Sequence, residues 1–205
     1  MVARPIEVLT MTAQRALPTT GNYQLADVAA PAVSPSIEYR ALLDGDAGTF
    51  QTLDAMRDAV LGRIGPDYSG FNDPENIKTA YRIAPDYNSR DAIRSLFNWV
   101  IQNITYEPHP INQQTLQDAR RTLELKRGDC VSLSVLLATL ALCLGIRPRF
   151  VAQWVNGEEA SHVYVEVFLP NGETIALDAV AKDQPMGWRQ KTLDGGFELA
   201  WEIFQ

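Results

Sequence analysis

The chain has 205 residues, 46% hydrophobic and 21% charged, which suits one domain with a decorated end and excludes wholesale disorder. Its 18 basic and 25 acidic residues give a net charge of −7, which repels phosphate backbones and anionic membranes, so no nucleic acid and no membrane is expected as a partner. Two cysteines make no disulfide framework, and with the 2 histidines at these spacings they make no four-ligand zinc site.

Residues 1–50 read as an extended arm or irregular lead-in, ahead of a domain over 51–205. Pro5, Pro18, Pro31 and Pro35 punctuate this arm, helical periodicity is absent, and only short apolar runs such as 6–9 suit strands. The start of the chain lacks the basic residues and long apolar stretch of a signal peptide. The most apolar segment, 131–144, is too short to span a bilayer. The expected compartment is therefore cytoplasmic. Leu17-Pro18-Thr19-Thr20-Gly21 matches a cell-wall sorting pentapeptide at the wrong end of the chain and reads as chance. Arg127-Gly128-Asp129 spells an integrin tripeptide, but reads as a helix entrance.

From about Thr52 a helix is expected, with Leu53, Met56, Val60, Leu61 and Ile64 at helical spacing and Gly65-Pro66 as its stop. Residues 67–87, rich in Asp, Pro, Asn and Tyr, read as a loop. The clearest amphipathic helix follows, with Ser89 as N-cap, Asp91 in the first turn, and Ile93, Phe97, Val100, Ile101 and Ile104 on one stripe. A shorter helix is expected over 115–125, then the apolar helix 131–144, ended by Gly145 with Pro148 beyond. Residues 150–155, 162–169, 174–180 and 197–204 carry the β-branched and aromatic residues of strands. Helices first and antiparallel strands later make an α+β domain.

Cys130 opens the apolar helix. A thiol there meets unpaired backbone N–H groups and the positive end of the helix dipole, both of which favour thiolate, and the same N–H groups suit an oxyanion. Cys143, inside the apolar run, reads as structural, and 13 helical residues hold the two sulfurs roughly 20 Å apart. Of the two histidines, His109 lies in a proline-bracketed loop and reads as solvated. His162 starts a strand whose one face carries His162, Tyr164 and Glu166, while Val163, Val165 and Val167 point the other way.

Asp178, on the next strand, completes a triad only if the turn between the strands has the right length. A two-residue Asn171-Gly172 turn would set Asp178 opposite Val165, facing away from His162. A three-residue Pro170-Asn171-Gly172 loop sets it opposite Tyr164 and on the His162 face. Pro as the first central residue of a type I turn, with Gly in the left-handed position, favours the longer loop.

Arg127-Gly128-Asp129-Cys130 entering an apolar helix, then 145–151, Ser161-His162-Val163-Tyr164, and Ala176-Leu177-Asp178, together with 98–106 upstream, resemble the bacterial transglutaminase-like core over roughly 89–188. The resemblance implies a papain-like α+β fold, with N-terminal helices and the nucleophile helix packed on an antiparallel sheet. It implies acyl transfer from amides through a thioester, with Cys130 as nucleophile, His162 as base and then acid, and Asp178 as its orienter. The implied partner is a protein or peptide substrate. Such domains in bacteria and their viruses more often resemble peptidases or amidases than cross-linkers.

Many members carry acidic residues just after the cysteine, which in some relatives help hold calcium. Here those positions are Val131 and Ser132, which argues against a calcium requirement. No cofactor and no metal site is expected, since the carboxylates form no loop of alternating oxygen ligands. The alternative function is a structural or interaction protein, for example phage-associated, that keeps the fold without the chemistry. Gln113, Gln114 and Tyr106 lie on the approach to Cys130 as candidate oxyanion donors, against a reading of solvated glutamines and a packed tyrosine. Gly187 and Trp188 are candidates to wall a cleft, against a core role for the tryptophan. Glu166 is expected in a structural hydrogen bond or facing solvent.

Overall fold

The computed structural model describes residues 45–64, 69–108, 116–155, 160–193 and 195–204. Its first helix, α1 (Gly45–Leu61), begins earlier than the apolar spacing predicts and ends where Gly62 turns left-handed. The expected stop at Gly65-Pro66, the arm before residue 45, His109, Gln113 and Gln114 lie outside the described residues. Leu53, Met56, Ala59 and Val60 bury one face of α1.

The loop expected over 67–87 contains a helix instead, α2 (Pro74–Ile83). Its start is built as helix starts are: the Asp73 side chain accepts from the Glu75 N–H at 2.9 Å, and Pro74 fills the first turn. Its buried face carries only Asn76 and Ala80, so the apolar period is faint. Asn76 gains three partners by that burial, donating to Gly70 O, Ser69 O and Ser69 Oγ.

α3 (Arg90–Asn103) follows the prediction, with the Ser89 hydroxyl accepting from Ala92 N–H at 3.0 Å and Ile93, Leu96, Phe97 and Val100 buried. A two-residue strand, β1 (Thr105–Tyr106), comes next. The helix expected over 115–125 is shorter, α4 (Ala119–Leu125), because Asp118 caps it and accepts from Arg121 N–H at 2.7 Å. After β2 (Arg127–Gly128) comes α5 (Cys130–Cys143).

Eleven of the fourteen residues of α5 are buried, as a helix that is apolar on all sides requires. It packs on the sheet at one side and touches all four other helices or their partners at the other, with α1, α2, α3 and α4 around it. Leu133, Leu136, Leu137 and Leu140 are fully buried, each contributing about 2–3 kcal/mol by transfer from water.

The sheet has the order β5-β4-β3-β6, all antiparallel, from β3 (Arg147–Trp154), β4 (His162–Phe168), β5 (Thr174–Leu177) and β6 (Phe197–Glu202). The β4–β5 connection is the three-residue loop. Gly172 lies at φ 85°, its N–H donates to Leu169 O at 2.9 Å, and Leu169 N–H donates to Glu173 O at 2.8 Å. The ladder pairs Phe168 with Thr174 and Val165 with Leu177, so Asp178 comes opposite Tyr164 one step beyond its end. No helix among the described residues is long and apolar enough to cross a membrane.

Candidate active site

Three short pieces of backbone set Cys130. Lys126 ends α4 in the left-handed region and turns the chain into β2, which pairs in parallel with β1. Thr105 N–H donates to Lys126 O at 2.8 Å and Glu107 N–H to Gly128 O at 2.9 Å. Neither two-residue strand has a readable period, so this pairing is invisible in the sequence. Gly128 is required by space: a Cβ there would lie 2.7 Å from the Ser132 Cβ, in the first turn of α5. Asp129 then caps α5, its carboxylate accepting from Ser132 N–H at 2.7 Å.

The other two residues arrive on the hairpin. His162 Nε2 and Asp178 Oδ2 are 2.8 Å apart, and both side chains are at least nine-tenths buried. A carboxylate accepts only, so Nε2 carries the hydrogen and Nδ1 is left as the basic nitrogen of the neutral ring. The second carboxylate oxygen of Asp178 accepts from Val180 N–H at 3.1 Å, which fixes its plane. Helix and hairpin are tied where they meet, by Ser134 Oγ donating to Val163 O at 3.2 Å. The Val163 and Val131 backbone N–H groups act electrostatically on the Cys130 sulfur, which also lies within electrostatic reach of Asp178. His162 and Asp178 are therefore paired, and Cys130 lies within electrostatic reach of that pair's carboxylate.

The electrostatics reverse one expectation. Burial and the neighbouring Asp129 carboxylate push the Cys130 thiol up to about 12, and the Val163 and Val131 N–H groups only partly offset them. The helix N-terminus that favours thiolate is itself capped by an acidic side chain. Replacing Asp129 with Asn separates these effects, since Asn caps as well as Asp but carries no charge. Iodoacetamide alkylation of Cys130 in the wild type is expected to keep rising with pH beyond the ~8.5 of a free thiol. Asp129→Asn is expected to lower the apparent pKa and speed alkylation about tenfold at neutral pH, roughly one pKa unit. An unchanged pH profile would rule Asp129 out as the cause.

Tyr106 is packed, as one of its two expectations had it. It is half-buried against the core, and burial together with the charges of Cys130, Asp129 and Asp178 raises its phenol above the usual range. Its hydroxyl therefore keeps its proton at neutral pH. Of the two expectations for Glu166, the structural hydrogen bond holds and the solvent-facing position does not. It is 1% exposed, accepts from Arg149 at 2.6 and 2.8 Å, and pairs with Arg189. Tyr164, buried on the same face, donates to Glu198 at 3.3 Å. Cys143 ends α5 with its thiol 3.1 Å from Phe71 O.

A cavity of about 540 Å³ opens beside His162 and Asp178. Gln190 and Leu193 are among its lining residues, whereas Gly187 and Trp188, candidates for a cleft wall against a core role for the tryptophan, are not. Sequence reading misses Gln190 and Leu193 because neither lies on a periodic element. Among the described residues no group of three or more His, Cys, Asp or Glu side chains is placed to hold a metal ion.

The family model of the transglutaminase-like superfamily matches residues 77–179. No match was found among curated proteins. Solved structures similar to this chain include a candidate protease from Parabacteroides distasonis, 14% identical with a TM-score of 0.49 over 62% of this chain and 25% of that one. A candidate cysteine protease from Cytophaga hutchinsonii is 18% identical, with a TM-score of 0.46 over 77% of this chain and 52% of that one. Legionella pneumophila LapG is 12% identical, with a TM-score of 0.40 over 65% of this chain and 76% of that one. The chain thus spans about a quarter and about half of the first two proteins.

Proposed function

Because the chain belongs to the transglutaminase-like superfamily, we propose that it is a thiol-dependent acyl-transfer enzyme acting on an amide of a protein or peptide. The Cys130 sulfur attacks the carbonyl carbon while its proton passes to His162 Nδ1. The first-turn N–H groups of α5 stabilise the oxyanion, with Tyr106 as a side-chain donor. Collapse breaks the C–N bond, the imidazolium gives its proton to the departing amine, and a thioester remains. Water or a second amine then attacks the thioester, His162 takes the attacker's proton, and the thiol returns. With the thiol held high, the sulfur keeps its proton until a base takes it.

The observation that supports this reading is the 2.8 Å His162–Asp178 contact, with the Cys130 sulfur within electrostatic reach of Asp178. Treating the Cys143→Ser variant with p-nitrophenyl acetate tests it. The expected result is a burst of nitrophenolate and one hydroxylamine-labile acetyl group on Cys130, both lost with Cys130→Ala. A second reading, an interaction protein that keeps the fold without the chemistry, is favoured by the thiol at about 12. It requires that Cys130 stay unacylated, and that outcome would decide for it.

A further inference from the structure

We propose that Arg189 is a positioning residue for Asp178: by pairing with the buried Glu166 it anchors the loop that carries the carboxylate and so holds the His162 tautomer. The inference rests on the acyl-transfer reading for its effect on rate, but not for its effect on the His162–Asp178 pair. The ladder of the sheet does not hold Asp178. The β4–β5 pairing ends with Val165 opposite Leu177, and Asp178 lies one step beyond it. Its carboxylate accepts from Val180 N–H at 3.1 Å, but Val180 belongs to the same loop, so this bond moves with it. What fixes the loop as a whole must act where the loop meets the sheet.

The loop closes at one rung of that sheet. Gly187, at φ 95°, donates its N–H to Ala176 O at 2.9 Å, and Ala176 stands opposite Glu166 in the ladder. Arg189, just past this neck, pairs with that same Glu166. Gln190 O then accepts from Gln153 Nε2 at 3.0 Å, and Gln153 stands opposite His162. β5 and β6 are the two edges of the sheet, so the connection between them crosses it, with contacts that step from β5 to β4 to β3. The exit limb of the Asp178 loop is thus pinned from the rung of Ala176 to the rung of His162.

Arg189 supplies the strongest of these anchors. Its bond to a carboxylate is charge-assisted, roughly twice as strong as a neutral one. Glu166 is buried and is also gripped by Arg149 at 2.6 and 2.8 Å, so the acceptor is fixed. Inside the loop, Lys182 N–H donates to Val180 O, Gln184 N–H to Ala181 O and Trp188 N–H to Pro185 O. These tight turns set the shape of the loop and not its place on the sheet. Without the Arg189 anchor the loop shifts. Water then reaches a carboxylate that is now 5% exposed, Nε2–H loses its exclusive acceptor, and the ring samples the tautomer with hydrogen on Nδ1.

The test reads the imidazole nitrogens directly, by proton–nitrogen correlation in protein carrying isotope-labelled histidine at a pH where the ring is neutral. The chain has 2 histidines, and His162→Ala identifies the His162 signals. The wild type is expected to show hydrogen on Nε2 alone. Arg189→Met is expected to draw the two nitrogen shifts together, as exchanging tautomers do. In the Cys143→Ser background it is expected to slow the p-nitrophenyl acetate burst by about 10- to 100-fold, as a misplacement of up to about 1 Å does. Arg189 is 45% exposed and Glu166 keeps Arg149, so the urea midpoint is expected to fall only slightly. Arg189→Lys, which returns a cation to Glu166, is expected to recover the tautomer and most of the rate. Lys182→Ala, exposed on the same loop, is expected to change neither. An Arg189→Met protein with an unchanged tautomer and burst overturns the proposal, whatever its stability. A burst missing from the wild type, beside a tautomer that still answers to Arg189, ends the acyl-transfer reading and leaves the positioning role standing.

Discussion

Replacing Asp178 with Asn is expected to slow acylation of Cys130 by about 10³–10⁴-fold at neutral pH, with the fold intact. The size follows from the two bonds that the carboxylate accepts. One oxygen takes the Val180 N–H at 3.1 Å and the other faces His162 Nε2 at 2.8 Å. An amide has only one acceptor oxygen. Turned to Val180, it presents its NH₂ group to the imidazole, and Nε2 must then accept. The hydrogen moves to Nδ1, which can no longer take the thiol proton. Turned the other way, the NH₂ group meets the Val180 N–H and the plane of residue 178 is lost. The loss is expected to shrink at alkaline pH, where the thiol ionises without help. A burst rate within tenfold of wild type, measured with p-nitrophenyl acetate at neutral pH, would show that Asp178 does not set the tautomer.

Arg149→Met is expected to destabilise the domain by about 3 kcal/mol, because it leaves the Glu166 carboxylate buried with one of its two partners gone. Methionine keeps much of the aliphatic stem, while the guanidinium that lies 4.9 Å over the Phe168 ring is lost along with the ion pair. The carboxylate is 1% exposed and the Arg149 side chain 28%, so water does not replace the lost bonds. Arg189 remains, but at 45% exposure it offsets only part, which places the cost at the low end of the range for broken buried pairs. Removing both charges, as Arg149→Met with Glu166→Met, is expected to recover most of the loss. Urea unfolding reads both variants: the midpoint should fall for the single and return for the double at an unchanged slope. A single variant as stable as wild type would mean that Glu166 is hydrated in solution.

What the sequence discloses here follows the range of the forces involved. The β4–β5 register was readable because Pro170 and Gly172 fix backbone angles by themselves, and one turn then decides which face Asp178 takes. The entry to α5 was readable for the same reason, since a capping side chain acts within three residues. α2 was misread although Asp73, Pro74 and Glu75 form a proper start, because only Asn76 and Ala80 are buried and the composition resembles a loop. The thiol was misjudged because the helix dipole is visible in the sequence, whereas burial comes from the whole fold. The hydrogen bonding of Glu166 is legible, but its partners are not, because Arg149 and Arg189 lie 17 and 23 residues away, on a strand and on an irregular segment. The cavity wall at Gln190 and Leu193 leaves no trace in any pattern of one chain.

α5 carries a last consequence. Its backbone amides are shielded by the sheet on one side and helices on the other, so they exchange with solvent hydrogen only when the whole domain opens. The segment 181–193 is largely exposed and is anchored at a few points, so it belongs to the low end of the local opening scale. Cys130 thus stands at the first turn of the slowest-exchanging unit, and the segment that lines the cavity beside His162 and Asp178 belongs to a faster one. That segment can breathe while α5 and its first turn stay in register.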